Sequence, residues 1–219
     1  MFKRLSNKQW YIQDRLSESM MNQLKYIIDN LDRNSKKMGV HLAGQIEDEY
    51  SITYPTDILY YIKKLIVSNQ ENINSFESKP KDYNNFELTD RTHKDGNEPH
   101  SWVNFQKKYE YNPIHNHSGD FSFVIWYKIP YKKSDEIKIG PGTTRNNTNG
   151  SFSFVYSKDD GMTRSELITG DSSLEGTILI FPSNLNHLVY PFFSSTKERI
   201  SFSGNVFLEI NQKSKTTLL

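Results

Sequence analysis

The chain has no cysteine among its 219 residues, which removes disulfide frameworks, zinc–thiolate sites and iron–sulfur clusters at once. His, Asp and Glu are left as the strong metal ligands, so any metal bound here is a hard or borderline one. An excess of charge is also missing. The 27 basic and 26 acidic residues give a formal net charge of +1, so no strong field draws the chain to nucleic acid or to an anionic membrane. No run approaches the ~18 apolar residues of a membrane span. The opening Met1-Phe2-Lys3-Arg4-Leu5 stretch lacks an apolar segment followed by small residues, so a soluble, cytoplasmic protein is expected. Asn146-Asn147-Thr148 and Asn149-Gly150-Ser151 have the form of glycosylation triplets, but without a signal peptide they carry little weight.

The first third of the sequence has a helical period. Leu16, Met20, Leu24, Ile27, Ile28 and Leu31 recur at spacings of three and four, and Ile58, Leu59, Ile62, Leu65 and Ile66 do the same. Thr56 is the predicted N-cap of the second helix, with Asp57 complementing the dipole in its first turn. Between the two, Ile46, Tyr50 and Ile52 suggest a short strand or turn. From residue 68 to 99 the chain is polar and includes Pro80 and Pro99, which reads as a long loop. Beyond it come short segments dense in Phe, Tyr, Val and Ile. The predicted strands are 101–111, 121–130, 136–139, 151–157, 165–169, 176–181 and 199–210, with a turn over 141–150. Strands at this spacing predict a β-sandwich or jelly roll rather than a βαβ sheet. The expected organisation is a helical N-terminal extension over 1–75 packed on the roll, a polar loop over 76–99 and a β core over 100–219.

Three motifs carry chemistry. In His115-Asn116-His117 an extended backbone projects both imidazoles to one face, as ligands to one ion require. Alone, the pair is more readily two surface histidines. In Gly176-Thr177-Ile178-Leu179-Ile180-Phe181-Pro182-Ser183-Asn184 a strand ends in a turn that returns the chain to His187, a third imidazole able to complete the set. His41, His93 and His100 have no comparable setting. Arg199 and Ser201 lie two apart on an apolar strand containing Ile200, Phe202 and Val206, so a guanidinium and a hydroxyl face one way and can share a carboxylate. An arginine on an interior strand needs a reason, and an anionic ligand is one.

In this order the three motifs resemble the Fe(II)- and 2-oxoglutarate-dependent oxygenases. More narrowly, they are similar to the prolyl-hydroxylase-like oxygenases of tailed phages and marine bacteria. The matching elements are His115-Asn116-His117, the aromatic strand Phe121–Pro130, Gly176–Ser183, His187-Leu188-Val189-Tyr190-Pro191 and Arg199-Ile200-Ser201. They span roughly residues 100–210. Leu42-Ala43-Gly44-Gln45-Ile46 with Tyr50 is a weaker likeness to the same group.

The resemblance implies a double-stranded β-helix, or jelly roll, mainly β with N-terminal helices. It implies iron held by His115, His117 and His187. Arg199 and Ser201, with Tyr127 as a weaker candidate, would bind the distal carboxylate of 2-oxoglutarate. The implied reaction is that of a dioxygenase: with Fe(II), 2-oxoglutarate and O2 it hydroxylates a small metabolite or a protein side chain and releases succinate and CO2. The implied setting is the cytoplasm, including that of a virus-infected host cell. No nucleic-acid or membrane partner is expected, and the N-terminal helices would buttress the roll or supply a homodimer face. One departure stands out. His117 occupies the place where this superfamily usually has aspartate, and Asp120, at an odd spacing from His115, is the alternative carboxylate.

Two rivals compete with this reading. A cupin-type metal protein also has H-x-H and G-x5-P-x4-H in outline, but no glutamate follows His117 closely, Asn184 replaces a glycine and Pro191 replaces an asparagine. A non-catalytic β-roll binding module would leave the histidines structural.

Overall fold

The computed structural model describes residues 1–35, 37–39, 42–77, 81, 83, 86–89, 101–139 and 147–210, with backbone alone for 86–89 and 209–210. His41, His93 and His100, most of the polar loop and most of the 141–150 turn lie outside the described residues.

Among the described residues, twelve strands and four α-helices follow one another in the order β1 (Phe2–Arg4), β2 (Trp10–Arg15), α1 (Glu18–Asp29), β3 (Glu49–Ser51), α2 (Thr56–Ser68), α3 (Gln70–Asn74), β4 (Phe86–Thr89), β5 (Ser101–Gln106), β6 (Asn112–His115), β7 (Phe121–Lys128), α4 (Lys133–Ile139), β8 (Phe152–Ser157), β9 (Thr163–Ile168), β10 (Thr177–Pro182), β11 (His187–Val189) and β12 (Arg199–Ile210). The larger sheet runs β1-β2-β10-β7-β12-β5-β3, with β4 paired to the far end of β12, and the smaller sheet runs β6-β11-β8-β9. Every pairing is antiparallel. Apart from the β8–β9 hairpin, successive strands from β5 to β12 alternate between β10-β7-β12-β5 and β6-β11-β8-β9, so the chain winds as a double-stranded β-helix, the jelly roll expected from the sequence.

Each face of the larger sheet is buried, for different reasons. Inward, Val124, Trp126, Leu179 and Phe181 meet Phe152 and Phe154 of the smaller sheet to form the core of the roll. Outward, Phe121, Phe123, Ile125, Ile178, Ile180 and Phe202 are covered by Leu24 of α1 and by Ile58, Ile62, Leu65 and Ile66 of α2. Because β7 is apolar on both faces, its sequence shows no alternation. Burying each α2 isoleucine contributes roughly 1.5–3 kcal/mol, which is what ties the helices to the sheet. Ser17 caps α1, its side chain accepting from the Met20 N–H.

Three expectations change. Thr56 is the first residue of α2 rather than its N-cap; Pro55 holds that position and makes no side-chain cap bond. The predicted strand 136–139 is the helix α4. Ile137 and Ile139, whose alternation suggested a strand, are 52 % and 60 % exposed, whereas Glu136 between Asp135 and Ile137 is fully buried. Its carboxylate accepts from the Phe193 and Ser194 N–H groups at 2.8 Å each and from the Ser194 hydroxyl at 2.5 Å. Finally, the first fifteen residues are not part of a helical segment, since β1 and β2 extend the larger sheet through the β2–β10 pairing.

Candidate metal centre and anion pocket

His115 ends β6 and His187 begins β11, and the two stand directly opposite in the antiparallel register. Side chains opposite one another share a face, so both rings enter the roll, with centroids 4.2 Å apart. His117 lies just beyond β6, where its N–H donates to the Ser183 carbonyl at 2.9 Å. Its ring sits 4.9 Å from that of His115 and 5.0 Å from that of His187. Ser183 is itself fixed, because its Oγ accepts from the Ser122 hydroxyl within the buried group that includes Asn205. The Pro182-Ser183 turn thus positions two of the three histidines, one by its carbonyl and one by the chain that follows it.

One ligand atom from each histidine lies within 4.8 Å of the others. The Nδ1 of His115 is 2.7 Å from the Pro113 carbonyl and that of His187 is 2.9 Å from the Leu185 carbonyl. A carbonyl only accepts, so each Nδ1 carries the proton and each Nε2 keeps its lone pair. Burial lowers the pKa of His115, lowers that of His187 well below the usual range and takes that of His117 to about 3, with the neighbouring imidazoles adding to the effect on the last two. Three neutral donors therefore converge, a set that suits a borderline divalent metal such as iron. Phe152 stacks on His187 at 5.6 Å and Phe181 meets it edge-on at 5.0 Å, which restricts the ring.

Asp120 is elsewhere. Its carboxylate accepts from the Leu208 N–H at 2.9 Å and faces Lys81 at 3.6 Å, and it does not belong to the histidine group.

The same cavity is lined by Trp102, Asn104, Gln106, Arg199 and Ser201. Arg199 is 2 % exposed. Its Nε and Nη2 both donate to the Gln106 side-chain oxygen, across the strand pair in which Arg199 faces Gln106. Its Nη1 donates to the Tyr131 hydroxyl at 2.8 Å and to the Gly150 carbonyl at 2.9 Å. Phe192 lies beneath the guanidinium at 5.9 Å and stacks on Tyr131. Gly150 is at φ +68°, and a Cβ there would fall 2.6 Å from the Tyr131 ring, so only glycine lets its carbonyl meet both groups. All these oxygens are uncharged. Among the described residues Arg199 forms no ion pair, although a buried charge ordinarily has a partner. Ser201 accepts from the Asn104 amide at 3.3 Å and lines the cavity beside it.

Of the residues selected from the sequence, His115, His117, His187, Arg199 and Ser201 line one cavity, together with Trp102 and Asn104 of β5. Tyr127 does not join them. It lies on the helix-covered face of β7, against Phe202 at 5.9 Å. Tyr109 and Tyr111 are exposed. Gln106, Tyr131 and Gly150 were not anticipated. Gln106 is identified by its register with Arg199, which only strand pairing reveals, and Tyr131 by its place immediately after Pro130 at the end of the aromatic strand.

Residues 100–205 match the family model described as "Putative 2OG-Fe(II) oxygenase". That match spans His115, His117, His187, Arg199 and Ser201. No curated protein matches the chain. Among solved structures, a prolyl-4-hydroxylase from Pseudomonas putida aligns at 12 % identity and a TM-score of 0.49 over 90 % of this chain and 91 % of its own. A 2OG-Fe(II) oxygenase family oxidoreductase from Burkholderia pseudomallei aligns at 12 % identity and a TM-score of 0.46 over 92 % of this chain and 84 % of its own. The fold assignment rests on the sheet order itself.

Proposed function

We propose that this chain, whose β core is similar over residues 100–205 to the 2OG-Fe(II) oxygenases, is an Fe(II)- and 2-oxoglutarate-dependent dioxygenase that hydroxylates a small metabolite or a protein side chain. The observation that carries the proposal is a buried guanidinium without a carboxylate partner in the same cavity as three convergent imidazoles. Iron bound by His115, His117 and His187 would supply the oxidation, in which 2-oxoglutarate and O2 become succinate and CO2 as the substrate gains a hydroxyl. The protein binds and orients. Arg199 takes the distal carboxylate of the 2-oxo acid in charge-assisted hydrogen bonds, with Ser201 adding a hydroxyl from the same face of β12. Tyr131 holds the guanidinium in place, and burial raises its pKa despite the opposing effect of Arg199, so it keeps its proton. Phe152, Phe181 and Trp126 line the cavity with apolar surface and exclude water from the reacting groups.

Anaerobic addition of Fe(II) and 2-oxoglutarate gives a visible charge-transfer band, and Arg199→Ala loses it while still binding metal. Metal binding without any band in the parent protein would reject the oxygenase and favour a cupin-type metal protein.

A further inference from the structure

Beyond the histidines and the arginine, buried hydrogen-bond acceptors lie in the cavity wall and directly behind it. Glu49 of β3 pairs in register with Asn104 of β5, so both side chains face the side of the sheet that carries the cavity. Glu49 is 0 % exposed, and neither carboxylate oxygen has a hydrogen-bond partner among the described residues. Asn104, 5 % exposed, spends its amide on Ser201 and leaves its Oδ1 unsatisfied. Asn112 of β6 also lines the cavity, and its buried Oδ1 has no partner.

Glu49 and Asn112 meet at Gly44. A Cβ on that residue would lie 2.8 Å from the Glu49 Oε1 and 2.8 Å from the Asn112 Oδ1, so the two acceptors close on the bare Cα with no room for a side chain. The segment is held there by the Gln45 N–H, which donates to the Tyr111 carbonyl at 2.8 Å, and by Ile46, which lines the cavity. Among the described residues no cation pairs with Glu49. The charge it senses is the like charge of Glu110, while Lys37 and Lys107 are engaged by Glu47 and Asp48. Orphaned acceptors in a native cavity are costly, and a carboxylate with two amide oxygens is complementary to a positively charged N–H donor.

We propose that Glu49, Asn104 and Asn112 form a substrate-recognition subsite for an ammonium or guanidinium group. This rests on the oxygenase reading for its purpose, but its binding chemistry is independent of it. The three donors of an ammonium, or the fork of a guanidinium, would satisfy the three residues together. The substrate class is thus a basic one, either a free amine or a lysine or arginine side chain.

The experiment titrates the full-length protein, followed by tryptophan fluorescence from Trp102 and Trp126, with agmatine and cadaverine as free amines. Nα-acetyl-lysinamide and Nα-acetyl-argininamide stand in for side chains, and citrulline serves as the neutral control. We expect saturable binding of at least one cation, none of citrulline, and about tenfold or greater weakening in Glu49→Gln. Gly44→Ala, which keeps the charge but forces the Glu49 and Asn112 oxygens to shift, should weaken the same cation. The arm that saturates distinguishes a free amine from a side chain. Equal binding in the parent and both variants overturns the proposal, as does failure of every cation to bind a protein that still forms the iron–2-oxoglutarate band. Loss of that band with Glu49-dependent cation binding intact would instead reject the oxygenase reading and leave the subsite standing.

Discussion

Glu49 carries its cost in a measurable form. Burial, with a smaller contribution from Glu110, raises its pKa from 4.5 to about 7. The folded state therefore binds a proton that the unfolded state has already released across that window, and stability falls as pH rises from about 4.5 through about 7. Chemical denaturation of the metal-free protein should show Glu49→Gln gaining on the parent over this range, by on the order of 3 kcal/mol at pH 8. A pH-independent difference would mean that Glu49 is already neutralised. Residue by residue, the sequence exposes the histidines and Arg199 because their chemistry is unusual for a strand or its turn. It hides Tyr131 and Gln106 because each acts through a neighbour distant in the chain. The choice of Tyr127 over Tyr131 fails for a related reason. Phe121 to Trp126 is apolar on both faces, so nothing in the composition says which side Tyr127 takes.

The elements differ in how openly they announce themselves. The helix α2 does so plainly, since its apolar positions at spacings of three and four become the buried stripe Ile58, Ile62, Leu65 and Ile66. Ile62 is fully buried in the cluster outside the roll and lines no part of the metal cavity. Ile62→Ala should cost about 2–5 kcal/mol of unfolding free energy while leaving metal affinity unchanged by calorimetric titration; a parallel loss of affinity would show that the helices shape the site. The helix α4 misleads because its isoleucines face outward and its glutamate inward, inverting the pattern on which such readings rely. That inversion is explained by the backbone N–H groups of Phe193 and Ser194, which need an acceptor and find one in Glu136. The strands β6 and β11 are only four and three residues long, too short for periodicity to register, although they carry two of the proposed ligands.

At the scale of the whole molecule, the jelly roll brings residues from distant parts of the chain to one end of a cavity, and a metal there would link them. His115 and His187 lie on paired strands of the smaller sheet, and His117 is bonded to the turn that follows β10. Binding to the folded state alone stabilises it by mass action, about 2.7 kcal/mol at a hundredfold excess over Kd. For a domain of this size that corresponds to a rise in Tm of roughly 5–10 °C. Anaerobic calorimetry should show the rise with Fe(II), its reversal by chelator and its absence in His187→Ala; a rise that persists in that variant would place the metal elsewhere. The contacts around Arg199 bear on repeated use of the site. A carboxylate built in beside the guanidinium would be a permanent rival, and each incoming 2-oxo acid would have to evict it. The side-chain amide of Gln106, the Tyr131 hydroxyl and the Gly150 carbonyl restrain the cation without spending its charge. On the proposed reading, a consumable reagent would therefore dock, be spent and be replaced, as a site refilled at every turnover demands.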